Sequence, residues 1–533
     1  MSTRSRPRRL LALGAAGAAL LTTILVSAVS AGAHSYPSPG TSRGPNTSTD
    51  PYVVPVAKGV HTKSLLTVGD SKAASNGFEM VGIPDGLGAR PGRGHDLFLY
   101  MNHELPATSG VVRAHGERGA FVSKLEIDRR SFEVEQGSDF VQPGTTYWDY
   151  VTQKYGPNPS TGGPNPRLAG DVFAAQLAAF GRWCSSSLTD EGQLYNKDTK
   201  RGYKGRIYFG NEEIGNEGRV FGVTEDGHAQ QLQRLGLFSW ENTLVAPTRG
   251  DVTLVMGQED AAFGQPWIYV GYKQRDGSPF DRAGLTNGVD FVPDLVDETV
   301  SNDAGFRAKF GKGTPARFDL SEVDWDQSGN RQNIEASADG LTLNRIEDGA
   351  WDPRNPDDFW FVTTEGGRGA DVPTGLTGRD GGGLWKMTFE DIEQPWLGGT
   401  LTLMLDGSEA PFMNKPDNLD IDGSGNLLIQ EDPGNNVTLA RIVAYDIDTG
   451  DRGIVAQFDP AQFRPVTPGG TDAPFTIDEE SSGIIDAREV LGRGWYLFDA
   501  QVHKTHADPA LVEHGQLLAM YVRDFDDIYT ISD

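Results

Sequence analysis

Cysteine is nearly absent from this chain of 533 residues, in which Cys184 is the single thiol. One thiol cannot form an intramolecular disulfide, so cross-links do not stabilise the fold. The side chain is either a small buried hydrophobic group or a metal-binding or reactive thiolate. The residue type alone leaves both interpretations open.

Long apolar runs are missing after residue 29. The one such run, 10–29, follows four arginines and ends in the small residues 31–33, as a cleaved export signal does. The pair Arg8-Arg9 fits a twin-arginine signal, and a Sec signal or a retained anchor is the alternative. We therefore predict an export signal over 1–33, a secreted or periplasmic cell-envelope location, and no membrane association after signal cleavage.

Positive charge is scarce, since 47 Lys and Arg face 74 Asp and Glu, a net charge of −27. Removal of 1–33, with its four arginines, leaves 43 basic residues and a net charge of −31. Binding to nucleic acid requires a basic surface, so we expect no nucleic-acid partner. We expect a monomer that acts on a small molecule.

Helical periodicity is rare, and only 171–182 predicts a helix, with Asp171 as its N-cap. The Ser, Thr, Pro and Gly residues of 34–50 predict a flexible leader. From 51 to 533, short apolar runs separated by Gly, Asp, Asn and Pro predict a single all-β domain.

Six of the predicted strands end in acidic or imidazole side chains. They are "LFLYMNHE" at 97–104, "RIYFGNEE" at 206–213, "TLVMGQED" at 253–260, "FWFVTTEGG" at 359–367, "NLLIQED" at 426–432 and "WYLFDAQVH" at 495–503. Recurring strands with polar ends predict a six-bladed β-propeller with long insertions, such as 142–170 and 276–326, and few helices. A pair of β-sandwiches is the alternative fold.

If these strand ends converge, their carboxylates crowd one region and repel one another. The residues concerned are Glu104, Glu212, Glu213, Glu259, Asp260, Glu365, Glu431, Asp432 and Asp499. Multivalent cations relieve such repulsion. Oxygen ligands alone favour Ca²⁺, whereas a thiolate from Cys184 or an imidazole favours a transition metal such as iron.

Standard catalytic signatures are missing from the sequence, which has no G-x-S-x-G, no P-loop and no H-E-x-x-H. The segment that begins at Asp417 is similar to the start of an EF-hand loop, but the twelfth position is Leu428 rather than Glu. An EF-hand is therefore excluded.

Five segments resemble the PhoX-type alkaline phosphatase family in a divergent branch. They are "MNHE" at 101–104, "RWCSSSL" at 182–188, "GNEE" at 210–213, "KPDNLDIDGSGNLLIQED" at 415–432 and "EESSGIIDA" at 479–487. The resemblance implies a six-bladed propeller with an axial iron and calcium cluster, twin-arginine export and hydrolysis of phosphate monoesters. The chain departs from the family pattern at Asn211, where the family has a second cysteine, and at 185–187, where serines replace glycines.

The resemblance also implies a set of site residues. Cys184 would bind iron, Glu104, Glu212, Glu213 and Glu480 would bind iron or calcium, and Asn102 matches the same family motif as Glu104. The strand-end pattern, rather than the resemblance, adds Glu259, Asp260, Glu431 and Asp432 as further candidate ligands. On charge grounds a basic side chain is expected to clamp the phosphate, and Arg368 and Arg488 are the candidates. The alternatives are a calcium-only phosphatase similar to the propeller phytases and a calcium-stabilised binding module of the cell envelope without chemistry.

Overall fold

A computed structural model describes residues 37–364, 381–434, 438–463 and 475–532. The predicted export signal over 1–33 lies outside these ranges, and so do Glu365 and Arg368. No helix within the described ranges is long and apolar enough to cross a membrane.

Short strands separated by turns make up most of the described chain. In chain order they are β1 Gly40–Arg43, β2 Val53–Pro55, β3 Val60–Thr67, β4 Pro84–Pro91, β5 Asp96–His103, β6 Phe121–Asp128, β7 Val134–Asp139, β8 Tyr147–Asp149, β9 Lys154–Gly156, β10 Gly163–Pro164, β11 Val172–Phe173, β12 Tyr195–Asn196, β13 Arg201–Gly202, β14 Ile207–Asn211, β15 Val220–Thr224, β16 Ala229–Gln231, β17 Trp240–Val245, β18 Val252–Glu259, β19 Pro266–Tyr272, β20 Val289–Leu295, β21 Ala316–Val323, β22 Ile346–Trp351, β23 Asp358–Thr363, β24 Gly383–Phe389, β25 Gly399–Leu405, β26 Pro416–Ile421, β27 Asn426–Glu431, β28 Arg441–Asp446, β29 Arg452–Phe458, β30 Glu479–Asp486, β31 Trp495–Thr505 and β32 Glu513–Val522. The helices are α1 Pro279–Ala283, α2 Asp303–Lys309, α3 Gly329–Asp339 and α4 Arg488–Leu491.

These strands form the six blades of a β-propeller, which confirms the predicted fold. The blades are β4 to β7, then β14 to β16, β17 to β20, β22 to β25, β26 to β29, and β30 to β32. Blade 2 has an irregular inner strand at 183–188, in which Leu188 bridges to Tyr208 of β14 and Trp183 bridges to Glu212, directly after β14. The inner strands contact their neighbours in order around the ring, and β30 of blade 6 contacts β4 of blade 1.

The ring is closed by the N-terminal strands. β3 pairs with β32 in blade 6, β1 pairs in parallel with β3, and β2 pairs with β29 in blade 5. The expected flexible leader over 34–50 therefore contributes β1 to a sheet. Its following turn is held because Asp70 accepts hydrogen bonds from Thr47, Ser48 and Thr49.

Each gap between blades is filled by a separate apolar core, six in all within the described ranges. Successive side chains of a strand point to opposite faces, so one strand serves two cores. In β27, Leu427 and Ile429 pack toward blade 4, whereas Leu428 packs toward blade 6. Because the strands are short and apolar, the sequence alone predicts an all-β protein.

Blades 3 and 4 are joined at their outer edges. The insertion 276–326 contains α1, β20, α2 and β21, and β21 pairs with both β20 and β25. The two blades thereby form one nine-stranded sheet.

The helix predicted over 171–182 is wrong, because this segment is extended and contains only β11. Asp171 is buried and accepts hydrogen bonds from Asn165 and Ser328 instead of capping a helix. The backbone carbonyl of Leu177 accepts a hydrogen bond from Arg219. Hydrogen bonds to residues outside this segment thus replace the capping and backbone hydrogen bonds that a helix would form within itself.

Candidate metal centre

The first ring of the site is formed by the second residue of each inner strand. These residues are Asp85 in β4, Glu241 in β17, Glu347 in β22, Asp417 in β26 and Glu480 in β30, with Cys184 at the equivalent place in blade 2. In β4, β17, β22 and β26 the pairing register shifts directly after this position. Such bulges re-aim side chains and recur next to functional sites.

The second strand of each blade pairs with the inner strand and runs antiparallel to it. A second ring is formed by the residues that directly follow the pairing partner of each inner strand's first residue. Its members are Glu104, Glu213, Asp260, Thr364, Asp432 and His503. An amide side chain stands two residues before five of them, namely Asn102, Asn211, Gln258, Gln430 and Gln501. The two rings meet at one end of the inner strands because those strands begin where the second strands end.

Strained backbone surrounds this end of the propeller. Four residues with positive φ stand two positions before members of the first ring, namely Ile83, Arg182, Arg345 and Lys415, with φ between 40° and 56°. The backbone carbonyls of these four residues accept hydrogen bonds from the backbone amides of second-ring residues, as in Glu213 N to Arg182 O at 3.0 Å. A strained backbone conformation is retained only where the surrounding contacts enforce it. Such positions are concentrated at functional sites.

Within the two rings, three groups of side chains bring their ligand atoms within 4.8 Å of one another. They are Asp85 with Glu104 and Cys184; Cys184 with Glu213 and Glu241; and Glu241 with Glu347 and Asp417. Cys184 and Glu241 each belong to two groups, so the three groups form a continuous chain across the first four gaps between blades. This arrangement could bind several metal ions through shared ligands.

The electrostatics of these groups favour cations. Burial, together with neighbouring carboxylates, raises the pKa of Asp85, Glu241, Glu347 and Asp417 well above the usual range. Burial raises the pKa of Glu213 to about 8 despite its ion pair with Arg182. Glu241 is 1% exposed and its Oε1 has no hydrogen-bond partner, so the residues present fit a metal ion at this point.

Two arginines reach into the same cluster. Arg182 Nη2 forms an ion pair with Glu104 Oε1 at 2.6 Å and also pairs with Glu213. Arg345 donates to both carboxylate oxygens of Asp260 and lies 3.2 Å from Glu347 Oε1. Both side chains are partly exposed, so each guanidinium faces both the acids and the solvent.

Cys184 lies in the site rather than in an apolar core. Its Sγ donates to Asp85 Oδ2 at 3.3 Å, and its carbonyl accepts a hydrogen bond from Asn102 Nδ2 at 2.7 Å. Burial, with Glu104 and Glu241 nearby, raises the pKa of the thiol. Asn102 therefore positions the Cys184 backbone, and Tyr208 in turn donates to Asn102 Oδ1 at 2.8 Å.

Three predicted ligands face away from the cluster because they alternate with the second ring along their strands. Glu212 is fully buried against Arg219, which donates from Nη2 to Oε1 at 2.7 Å. Glu431 forms an equivalent pair with Arg441. Glu259 accepts hydrogen bonds from Trp267 Nε1 and Gln265 N at 3.0 and 2.9 Å.

Their neighbours Glu213, Asp260 and Asp432 occupy the second ring, and so does His503. Burial opposes protonation of His503, but its contacts with Glu480 and Glu513 outweigh it and raise its pKa to about 11. Arg488 lies elsewhere: it pairs with Asp486 and Asp422 and lines a cavity of about 380 Å³ bounded by the later residues of the inner strands.

Sequence reasoning missed Asp85, Glu241 and the two arginines. A signal was present, because "PDG" at 84–86, "WEN" at 240–242, "IED" at 346–348 and "PDN" at 416–418 all place an acid between an apolar residue and a small or polar one. These acids lie at the starts of strands, whereas the recurring sequence pattern described above lies at the ends of strands.

The fold and the converging acids define a six-bladed propeller with a candidate metal centre at one end of its inner strands. No family model matches the chain, and no curated protein matches it in sequence. Pseudomonas fluorescens PhoX, solved in complex with vanadate, a transition state analogue, is similar to this chain with a TM-score of 0.57 and 12% sequence identity, over 92% of this chain and 99% of that chain. At this identity the similarity shows the fold alone.

Two further structures are less similar. A luciferin-regenerating enzyme has a TM-score of 0.31 and 8% identity over 85% of this chain and 94% of that chain. A putative gluconolactonase has a TM-score of 0.30 and 10% identity over 87% of this chain and 93% of that chain. Neither similarity is high enough to support a functional argument.

Proposed function

We propose that this chain is an exported, metal-dependent phosphatase that hydrolyses phosphate monoesters at a cluster of iron and calcium. The observation that carries the proposal is the continuous chain of three ligand groups, joined through Cys184 and Glu241. The fold shared with PhoX supports it, since that protein binds vanadate, a transition state analogue. The resemblance of five segments to the PhoX-type family is the further ground for it.

Metal is required on charge grounds. A phosphate dianion is repelled by a protein with a net charge of −27 and by a site built from carboxylates. When bound, iron and calcium neutralise these acids, polarise the phosphoryl oxygens and lower the pKa of water.

The donor chemistry divides the ligands between the two metals. Cys184 supplies the soft sulfur that iron accepts, and Glu104 and Glu213 complete its groups. Glu241, Glu347 and Asp417 form an all-oxygen group that suits calcium. Glu480, near Asp432 and His503, belongs to the same rings and is proposed as a further calcium ligand.

Arg182 and Arg345 would bind the substrate. A guanidinium presents parallel N–H donors that match two phosphate oxygens, and its charge offsets the charge that develops on them. Both arginines are held by backbone in the left-handed region and anchored by carboxylates of the second ring. This support fixes their direction before the substrate arrives.

Hydrolysis of p-nitrophenyl phosphate tests the proposal. Protein purified without chelator is expected to turn over this substrate, to lose activity on chelation and to recover it when iron and calcium return. Glu241→Gln is expected to lower kcat by at least about 100-fold, because it removes the shared ligand. Glu322→Gln, an exposed acid on β21, serves as the matched control.

Absence of hydrolysis in folded, metal-loaded protein contradicts the proposal. If calcium then still raises the melting temperature, the protein is a calcium-stabilised binding module.

A calcium-only phosphatase is the second candidate. The Cys184 thiol donates a hydrogen bond to Asp85, which satisfies the sulfur without iron, and the group of Glu241, Glu347 and Asp417 offers oxygen ligands alone. The two candidates differ in the effect of Cys184→Ser.

A further inference from the structure

Asp499 occupies a place that the other blades fill with apolar side chains. It lies in β31, two residues before Gln501 and on the same face of the strand. The equivalent residues of the other second strands are Tyr100, Phe209, Met256, Trp360 and Leu428, all buried. A carboxylate at this depth therefore needs a specific reason.

The carboxylate of Asp499 lacks the partners that a buried charge requires. Its side chain is fully buried, and neither oxygen has a hydrogen-bond partner. Its neighbouring charged groups, Glu480 and Asp85, are both carboxyl groups that repel it when they are ionised. An ionised carboxylate in such surroundings is costly unless a cation accompanies it.

A second oxygen atom, the backbone carbonyl of Asp85, borders the same space beside Gly483. Asp499 Oδ2 and the carbonyl oxygen of Asp85 both lie 3.0 Å from the position that a Cβ on Gly483 would occupy. Gln501 is fully buried, and its Oε1 also lacks a hydrogen-bond partner. Its Nε2 lies 3.3 Å from Asp85 Oδ2, which places the amide beside the first blade.

We propose that Asp499, the Gln501 side-chain carbonyl and the Asp85 backbone carbonyl bind a calcium ion that is additional to the cluster described above. All the donors are oxygens, and carboxylate, amide and backbone carbonyl oxygens together suit Ca²⁺. The ligands come from blade 6 and blade 1, so the ion stabilises the junction at which the ring closes. The proposal does not depend on phosphatase activity.

Asp499→Asn tests the site, because asparagine keeps the shape and removes the charge. Elemental analysis is expected to show one calcium per chain fewer than in the wild type. The rise in melting temperature that calcium produces is expected to shrink at least about twofold. An unchanged calcium count together with an unchanged rise overturns the proposal and identifies Asp499 as a protonated core residue.

Asp290→Asn is the matched control. Asp290 is also fully buried with both oxygens unpartnered, but its charged neighbour is the cation Arg234 rather than another carboxylate. Its substitution is expected to leave the calcium count unchanged, and a loss equal to that of Asp499→Asn would overturn the assignment.

A measurement on the wild type covers the case in which Asp499→Asn fails to fold. Crystals grown with calcium are expected to show an anomalous difference peak at coordination distance from Asp499 and the Asp85 carbonyl. A map with peaks at the cluster and none at Asp499 overturns the inference and leaves the proposed function standing.

Discussion

Arg345 donates from Nε and Nη2 to the two carboxylate oxygens of Asp260, at 2.8 and 2.7 Å. The pair sets a planar guanidinium beside Glu347, two residues further along the chain, at the edge of the candidate metal centre. A carboxylate that holds an arginine in this way orients it toward a second anion, and phosphate is the anion that the proposed function supplies.

Arg345→Lys is expected to lower kcat/KM for p-nitrophenyl phosphate by about 10-fold or more. Lysine keeps the charge but lacks the two parallel donors that match phosphate oxygens. The metal content is expected to stay the same, which separates substrate binding from metal loss. Arg317→Lys, at a half-exposed pair with Glu390, is the control, and wild-type kinetics in Arg345→Lys would remove this residue from the mechanism.

Substitution by glutamine is expected to have different effects on stability and metal binding at the adjacent residues Glu212 and Glu213. Glu212→Gln leaves Arg219 buried without its counter-charge, so the free energy of unfolding is expected to fall by about 3–5 kcal/mol. Glu213→Gln is expected to reduce metal binding with a smaller loss of stability, because Glu213 belongs to a ligand group.

Urea denaturation and elemental analysis of both variants measure these effects. The assignment fails if Glu212→Gln is the variant that loses metal while its stability is unchanged.

Cys184→Ser is expected to abolish iron binding and to lower kcat by at least about 100-fold, because a serine hydroxyl is a poor iron ligand. The calcium count is expected to be retained, since the group around Glu241, Glu347 and Asp417 contains no sulfur. Full activity without iron would instead support the calcium-only phosphatase.

The metal-free protein is expected to become less stable as the pH rises. Burial raises the pKa of Glu213 from 4.5 to about 8, so the folded state holds this proton more tightly than the unfolded chain does. The free energy of unfolding therefore falls as the pH rises from about 4.5 to about 8. Glu241 and Glu347, whose pKa values are also raised, act in the same direction.

Calcium is expected to suppress this loss, since the ion replaces the proton as the counter-charge. Melting curves across this pH range, with chelator and with excess calcium, measure both effects. A melting temperature of the chelated protein that rises with pH would contradict the electrostatic account.

The propeller could be predicted from the sequence because the pattern that indicates it lies within short segments. Apolar runs with polar ends recur six times, and each apolar run lies in the second strand of a blade. The same pattern could not tell Glu212 from Glu213, because only the pairing of strands decides which of two adjacent side chains faces the next blade. Arg219, the partner of Glu212, is also a tertiary feature.

The first ring was harder to predict because it arises from strand starts. Asp85 and Glu241 stand at bulges, and a bulge is defined by the pairing with the neighbouring strand rather than by either residue. The left-handed backbone at Arg182 and Arg345 was equally hidden, because arginine has no preference for it.

We propose that the two rings bind iron and calcium for the hydrolysis of phosphate monoesters. Elemental analysis of the protein, purified without chelator, tests this proposal by counting both metals per chain. Iron together with more than one calcium is the expected result. Folded protein that contains neither metal would contradict it, and the carboxylates of the rings would then be protonated or solvated groups without a catalytic role.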